Sequence, residues 1–215
     1  IENIKKIEGY DISHFSGDNA VASCVVFSKQ GPQKKNYRLF NIPSELSGND
    51  IGSLENVIQR RIKYYANPEL KPDIILIDGG KNQLNFVNAI IKKSDHHDIK
   101  VISIVKGSKR MRATETIISE NGIIELDKYS KAFLILQEIR DESHRFAIRA
   151  QRNKKRKKIN KSALDNINGV GSLLKSRLLK NFKNIKYIKN ASIDQLMTVK
   201  GINEKIANNI LRELK

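Results

Sequence analysis

The sequence is poor in several features that commonly define a protein class, and each absence excludes one. Cys24 is the only cysteine in 215 residues, so neither a disulfide within the chain nor a cysteine-based zinc site is expected, and a reducing, cytoplasmic compartment is indicated. No apolar run is long enough to span a bilayer. The chain opens without a signal-peptide pattern and with Ile rather than Met, so we expect a fragment of a longer protein.

Acidic residues are also scarce relative to basic ones. The chain has 40 Lys and Arg against 23 Asp and Glu, which gives a formal net charge of +17 and a pI near 9.9. A protein this basic usually binds a polyanion, and nucleic acid is the first expectation. Positions 143–164 hold nine basic residues and no acid, a pattern typical of a solvated linker or a nucleic-acid-binding arm.

This basic segment divides the chain into two predicted domains. We place a larger domain at residues 1–152, a basic linker at 153–161 and a small all-α domain at 162–215. Periodicity in the larger domain predicts strands at 5–13, 20–30, 35–42, 73–78 and 100–107, a hairpin around 121–122, and helices at 49–66, 81–93 and about 130–152. This order is that of an α/β ribonuclease H-like mixed sheet with flanking helices, in which the first and fourth strands are neighbours.

The stretch IILIDGGKNQL, at 74–84, ends an apolar strand on the carboxylate of Asp78. A Walker-type phosphate loop requires Gly, four residues, and then Gly-Lys-Ser/Thr. Here Ile75 stands where the first glycine should be and Asn82 where the hydroxyl should be, so a nucleotide-binding loop is not indicated. Two interpretations stay open: a functional carboxylate at the C-terminal end of a sheet strand, or an Asp-Gly turn.

A second carboxylate, Asp11, lies in the first predicted strand. If strands one and four are adjacent, about 4.8 Å apart, Asp11 and Asp78 can share a divalent cation, and oxygen ligands suit Mg²⁺ or Mn²⁺. Such sites hydrolyse phosphodiesters, often with two metal ions. Asp50, at the start of the first helix, and His144, on the closing helix, are further candidates. The alternatives are a helix N-cap or an N-terminal charge for Asp50, and a surface or otherwise satisfied residue for His144.

A repeat of 32 residues follows the basic segment. Leu164, Ile167, Gly169, Leu174, Leu178 and Leu179 recur as Leu196, Val199, Gly201, Ile206, Ile210 and Leu211. Each copy predicts a helix, a short glycine turn and a helix, and the two copies bury their apolar faces together. The turns, at 168–171 and 200–203, either bring backbone N–H groups close to a DNA phosphate or serve only as tight connections.

We predict DNA-binding residues in three places. In the repeat they are Gly169, Val170, Gly171, Lys175, Arg177 and Gly201. In the basic segment they are Lys154, Lys155 and Arg156. In a basic loop, which is otherwise typical of an ordinary solvated loop, they are Lys106, Lys109 and Arg110.

Four motifs, in order, resemble the C-terminal half of the UvrC family, the excinuclease endonucleases of bacterial nucleotide excision repair. They are YDISHFSG (10–17), PDIILIDGGKNQL (72–84), LQEIRDESHRFAI (136–148) and INGVG (167–171). The resemblance covers nearly the whole chain and implies a ribonuclease H-like nuclease domain followed by two helix-hairpin-helix units. It also implies that Asp11 and Asp78 are catalytic acids and that His144 is the catalytic histidine. Asp50, in a segment that reads GND here, is implied as a further acid.

The resemblance further implies a Mg²⁺- or Mn²⁺-dependent DNA endonuclease that makes the incision 5′ of a lesion. The implied partners are damaged double-stranded DNA and the damage-verifying helicase UvrB, and neither a membrane nor a small-molecule substrate is expected. The residues themselves leave two alternatives. One is a non-catalytic DNA-binding module of a repair complex, which metal-dependent nicking would exclude. The other is a structure-specific nuclease acting on flaps or junctions, which a comparison of substrates would identify.

Overall fold

The computed structural model describes residues 4–13, 20–105 and 115–214, and the side chains of Ser13 and residues 157–162 lie outside that description. The chain divides into two compact units, Ile1–Gln151 and Arg152–Lys215. Within the described ranges, no helix combines the length and the apolar character needed to cross a membrane.

The first unit is built on a mixed sheet, for which eight strands are described. The strands are β1 (Lys6–Ser13), β2 (Val21–Ser28), β3 (Gly31–Pro32), β4 (Arg38–Asn41), β5 (Ile74–Asp78), β6 (Lys100–Val105), β7 (Thr116–Ser119) and β8 (Gly122–Ile124). Their order is β3-β2-β1-β5-β6-β7-β8, with β4 also paired to β2. β1, β5 and β6 run parallel, and the other pairs are antiparallel.

This order confirms the predicted contact between the first strand and the strand that ends at Asp78. The predicted strand at 35–42 forms only over Arg38–Asn41, because Lys34–Asn36 is a turn of 3₁₀ helix. The predicted hairpin is present as β7 and β8, where Gly122 has a φ of 114° that a side chain would disfavour.

Helices cover both faces of the sheet. Successive side chains of β1 point to opposite faces, and those of Glu8 and Tyr10 lie towards α1 (Asp50–Ile62), whereas Gly9 lies against α3 (Lys131–Ala163). α2 (Lys81–Lys92) contacts α1. Each of α1 and α2 buries an apolar stripe with helical spacing, respectively Leu54, Val57 and Ile58, and Leu84, Val87 and Ile91. β2 is buried along nearly all of its length, as expected for a strand covered on both faces.

The closing helix is longer than the sequence predicted. We expected it to end near Arg152 and to be followed by a basic linker at 153–161, but α3 continues to Ala163. Its 33 residues contain neither glycine nor proline. Lys, Arg and Gln are good helix formers, and the charged ends of Lys and Arg can stay hydrated when their stems lie along a helix. The repulsion between like charges was therefore not a sufficient reason to predict a linker.

The second unit contains the predicted repeat. Its remaining helices are α4 (Ser172–Phe182), α5 (Ile185–Lys189), α6 (Ile193–Met197) and α7 (Glu204–Leu214). The repeated apolar positions of both copies pack into one core, in which Leu164, Leu178, Leu196 and Ile210 are fully inaccessible. The other members include four partly buried side chains, Leu174, Leu179, Ile206 and Leu211. The two turns are equivalent as well: a Cβ on Gly169 would meet Ile206, and a Cβ on Gly201 would meet Leu174, which is the repeat counterpart of Ile206.

Candidate functional site

Two of the predicted acids lie side by side at the ends of parallel strands. The register of β1 with β5 pairs Tyr10 with Ile77, so Asp11 and Asp78 each follow the last paired residue of their strand. Residues opposite each other in a register point to the same face. Asp11 is buried and Asp78 is half-buried. Two carboxylates are thus held at one edge of the sheet, as the sequence predicted for adjacent strands.

α3 brings His144 to the same edge. His144 Nδ1 lies 3.1 Å from Asp11 Oδ2, and the histidine side chain remains half exposed. The helix can approach β1 closely because Gly9 has no side chain: a Cβ there would overlap Cγ2 of Ile139. One turn further along α3, the Ser23 hydroxyl of β2 donates to the carbonyl of Ser143 at 2.8 Å. Close packing and a buried hydrogen bond therefore place His144.

Asp11, Asp78 and His144 form a group of donors suited to a metal ion. One ligand atom from each lies within 4.8 Å of the others, and this is the group of metal-ligating side chains that the described residues contain. Donors bonded to one ion at about 2.1 Å lie about 3.0 Å apart when adjacent and about 4.2 Å apart when opposite, so the 3.1 Å between His144 Nδ1 and Asp11 Oδ2 matches adjacent ligands. Two carboxylates and an imidazole fit Mg²⁺ or Mn²⁺ better than a thiophilic metal.

The turn that carries Asp78 is fixed by residues that sequence reasoning did not select. The hydroxyl of Ser103, buried in β6, lies within hydrogen-bonding reach of the carbonyls of Ile77, at 3.0 Å, and of Gly79. Gln83 folds back so that its Oε1 accepts from Gly80 N at 2.9 Å, and a Cβ on Gly79 would occupy the space of that amide. Gly79, the first glycine of the motif, therefore leaves room for the Gln83 side chain that caps the turn.

Asp50 occupies a different position. It is exposed at the first residue of α1, whose cap is Asn49: Asn49 Oδ1 accepts from Gly52 N at 2.9 Å. It is not a member of the group formed by Asp11, Asp78 and His144. Asp50 does line one surface cavity with Gly80 and Lys81, immediately beyond the strand that ends at Asp78. Its metal role stays a prediction.

A second acidic residue of β1, Glu8, was missed. Its side chain is fully buried and forms an ion pair with Arg61, with Nη2 at 2.5 Å from Oε1. The hydroxyls of Tyr10 and Tyr65 donate to Oε2 at 2.6 and 2.7 Å. Burial raises the pKa of both tyrosines well above the ordinary value, so both remain donors at neutral pH. This network braces β1 on the face opposite Asp11.

The sequence did contain a signal for this pair. In the predicted first strand, Glu8 lies on the same face as Tyr10 and on the face opposite Asp11. Arg61 lies on the buried stripe of α1, four residues after Val57. Two opposite charges, each on a face predicted to be buried, indicate a buried ion pair.

The predicted DNA-binding residues of the second unit differ in their surroundings. Gly169 has a φ of 90°, and Gly171 is the N-cap of α4, so that helix has no capping side chain. Gly201 has a φ of 98°, but α7 is capped by Asn203, whose Oδ1 accepts from Ile206 N at 2.9 Å. The side chain of Val170 is buried, so only its backbone could contact DNA.

The basic side chains assigned to DNA binding fall into three groups. Lys175 pairs with Asp165, and Arg177 Nη1 donates to the Lys200 carbonyl at 2.7 Å, so both already hold internal partners. In α3, Lys155 and Arg156 are exposed and Lys154 is half-buried. Lys106, Lys109 and Arg110 lie outside the described residues. DNA binding by any of these side chains stays a prediction.

Solved structures with detectable similarity include endonuclease V proteins. The Ciona intestinalis D234N enzyme in complex with an inosine-containing 23mer DNA is 16% identical, with a TM-score of 0.38 over 52% of this chain and 49% of that one. The Bacillus subtilis enzyme is 19% identical, with a TM-score of 0.35 over 57% of this chain and 58% of that one.

Sequence relatives cover the chain much more fully. UvrABC system protein C of Legionella pneumophila strain Lens is 39% identical over 211 residues, which is 97% of this chain and 34% of the relative. The protein of the same name from Haemophilus influenzae Rd is 39% identical over 221 residues, covering 100% of this chain and 36% of the relative. The chain thus spans about a third of the length of the curated relatives that it matches.

Family profiles match both units. The profile described as the UvrC RNase H endonuclease domain matches residues 1–148, and that of the SAM-like helix-hairpin-helix tandem matches residues 161–215. The mixed sheet with flanking helices agrees with the first, and the paired glycine turns agree with the second. The chain therefore belongs to the UvrC family, with a ribonuclease H-like endonuclease domain followed by a tandem helix-hairpin-helix unit.

Proposed function

We propose that the chain is a divalent-metal-dependent DNA endonuclease of nucleotide excision repair, and that it makes the incision 5′ of a lesion. The observation that carries the proposal is the group formed by Asp11, Asp78 and His144 at the ends of adjacent parallel strands. Membership of the UvrC family, whose relatives are named for the UvrABC system, supports the repair context.

In the proposed mechanism Asp11 and Asp78 would hold the cation, and Asp50, at the start of α1, would assist them. A bound Mg²⁺ or Mn²⁺ would lower the pKa of a coordinated water and neutralise charge on the scissile phosphate. His144 either supplies a third donor or carries a proton to the leaving oxygen. Its contact with Asp11 at 3.1 Å fixes the ring in either role. The Glu8 network and Ser103 keep both carboxylates in place.

We propose that the second unit binds the DNA backbone through its first hairpin. Gly169 and Gly171 let the N–H groups at the start of α4 approach a phosphate, and that helix has no acidic residue in its first turn. The basic side chains Lys154, Lys155 and Arg156 of α3 would add contacts to the DNA backbone. Such contacts carry little sequence information, which suits an enzyme acting at any lesion. Proposed partners are damaged double-stranded DNA and the damage-verifying helicase UvrB.

An incision assay tests the proposal. A 5′-labelled duplex with one bulky lesion, already nicked on the 3′ side, is loaded with the partner helicase, and the chain is added with Mg²⁺ or Mn²⁺. One cut 5′ of the lesion is expected, together with its loss in chelator. Asp78→Asn should abolish the cut and leave DNA affinity unchanged, since the substitution removes a proposed metal ligand and no DNA contact.

The matched control is Asp98→Asn, which removes a carboxylate from an exposed pair with Lys71 and should cut normally. Incision retained by Asp78→Asn would refute the assignment. DNA binding without any cut would favour a non-catalytic binding module, and equal cutting of undamaged flaps or junctions would favour a structure-specific nuclease.

A further inference from the structure

The first unit contains a large apolar cavity that the proposed nuclease reaction does not use. Its volume is about 580 Å³, within the range of roughly 300–1,000 Å³ common for binding pockets. Apolar side chains from the start of α3, from the strands and from the β8 edge form its walls, among them Ile102, Ile117, Ile124, Ile135 and Leu136. Ile135 lines the cavity and is 45% exposed, so it lies where the cavity opens to solvent.

The cavity lies at the end of the sheet opposite the group formed by Asp11, Asp78 and His144, called the acidic centre below. Lys5, Lys6 and Ile74, at the starts of β1 and β5, line it, whereas Asp11 and Asp78 stand at the other ends of the same strands. Lys6 and Asp11 are five residues apart on an extended strand, a separation of about 16 Å. A molecule bound in the cavity would therefore leave the acidic centre open to DNA.

Positive charge surrounds the cavity. Lys5, Lys6, Lys29, Lys92 and Lys100 line it together with one acid, Glu120. Lys92 pairs with Glu120, and the hydrogen bond from Lys92, followed by that from Asn88, lowers the pKa of the Glu120 carboxyl. Lys6 also has a partner, the carbonyl of Glu69, and the count of five lysines to one acid gives the rim a net positive charge. An apolar interior within a basic rim is complementary to a surface that is both apolar and acidic.

We propose that this cavity is a docking site for an acidic, amphipathic segment of a partner protein, whose aliphatic side chains fill the cavity while its carboxylates meet the lysine rim. DNA would be attracted to the rim but cannot fill an apolar interior. A second copy of this chain carries the same charge of +17, so like-charge repulsion disfavours it. Segments of this kind bind through apolar anchors spaced along a helix or alternating along a strand.

Two fluorescein-labelled 14-residue peptides of Leu and Glu test the site. One has its leucines at helical spacing and the other has them alternating. Anisotropy should give micromolar binding for at least one peptide to the chain. The same peptide with Lys in place of Glu, or Ser in place of Leu, should bind at least tenfold more weakly. Isoleucine-methyl NMR should report shifts at Ile102, Ile117 and Ile124.

Matched variants locate the binding. Ile135→Asp places a charge at the mouth and should weaken peptide binding at least tenfold, whereas Leu134→Asp, at the neighbouring position, 51% exposed and not lining the cavity, should leave it unchanged. Lys100→Glu should weaken binding several-fold, and Lys93→Glu, exposed outside the rim, should not.

Three outcomes would overturn the proposal. The first is that neither peptide binds. The second is that binding is equally strong for the Lys-containing peptide or is unchanged by Ile135→Asp. The third is self-association of the chain, measured by sedimentation, that Ile135→Asp abolishes, because a second copy would then be the occupant. Nuclease activity enters none of these measurements, so they stand apart from the test of the acidic centre.

Discussion

At the scale of single residues, the acidic centre depends on a side chain that is absent. Gly9 has an ordinary strand conformation, so its role is space: Ile139 of α3 occupies the position that a Cβ would need. Gly9→Ala should push α3 away from β1 and separate His144 from Asp11. We expect overpacking to cost about 1–3 kcal/mol of unfolding free energy and incision to fall at least tenfold.

A double variant separates crowding from other effects of the added methyl group. Ile139→Ala alone should also be destabilising, by about 2–5 kcal/mol, because it leaves a cavity. Combined with Gly9→Ala it removes the clash, so the double variant should be less destabilised than the sum of the single variants. Urea unfolding measures this coupling. If the losses of unfolding free energy from the two single variants simply added in the double variant, crowding against Ile139 would not be the reason that glycine is needed at position 9.

The buried pair of Glu8 and Arg61 leads to a second prediction at this scale. Glu8→Gln leaves the Arg61 guanidinium buried without a counter-charge, and breaking such a pair costs about 3–5 kcal/mol. The double variant Glu8→Gln, Arg61→Met removes the stranded charge and should recover most of that loss in urea unfolding. Asp98→Asn breaks an exposed pair instead and should cost at most about 1 kcal/mol. A loss from Glu8→Gln as small as this control would contradict the assigned role.

At the scale of elements, the two hairpins differ where their second helices begin. The N-cap of α4 is Gly171, with no capping side chain and no acid in the first turn. The N-terminus of α7 is instead capped by the Asn203 side chain, and its first residue is Glu204. The equivalent turns that the repeat predicts are therefore not equivalent as phosphate sites, and we expect the first to dominate DNA binding.

Gly171→Asp tests this difference, because its effects on folding and binding should have opposite signs. A Cβ at Gly171 meets nothing within 4 Å, and Asp is a good N-cap, so stability should be unchanged or a few tenths of a kcal/mol higher. The carboxylate should repel phosphate and weaken duplex binding at least tenfold, measured by anisotropy. Asn203→Asp is the control in the second hairpin and should change affinity less than twofold. Equal losses from both variants would argue against a dominant first hairpin.

Regular patterns made much of the fold predictable from the sequence. Alternation and helical spacing located the elements, and their order placed the strands of Asp11 and Asp78 together. The course of α3 was not predictable, because a block of like charges is compatible with both a linker and an exposed helix. The contacts of Ser103, Gly79 and Arg177 were also beyond sequence patterns, since each depends on a neighbour distant in the chain or on a turn folding back.

At the scale of the whole molecule, the net charge of +17 predicts how DNA binding responds to salt. Each phosphate neutralised releases counterions, and the logarithm of affinity falls with the logarithm of salt concentration by about 0.9 per contact. With 6–10 contacts, raising salt from 50 to 200 mM would weaken binding by about 10³–10⁵. A flat salt dependence, measured by anisotropy on an undamaged duplex, would argue against backbone binding.

The position of the charge matters as well as its sum. Replacing Lys154, Lys155 and Arg156 of α3 by Gln removes three proposed phosphate contacts. The slope of log affinity against log salt concentration should therefore fall by about 3, while helix propensity is nearly preserved. Replacing the exposed Lys34, Lys35 and Lys63 by Gln removes the same charge from places where we propose no DNA contact. That control should leave the slope nearly unchanged. If both triple variants lowered the slope equally, overall charge rather than a defined surface would govern binding.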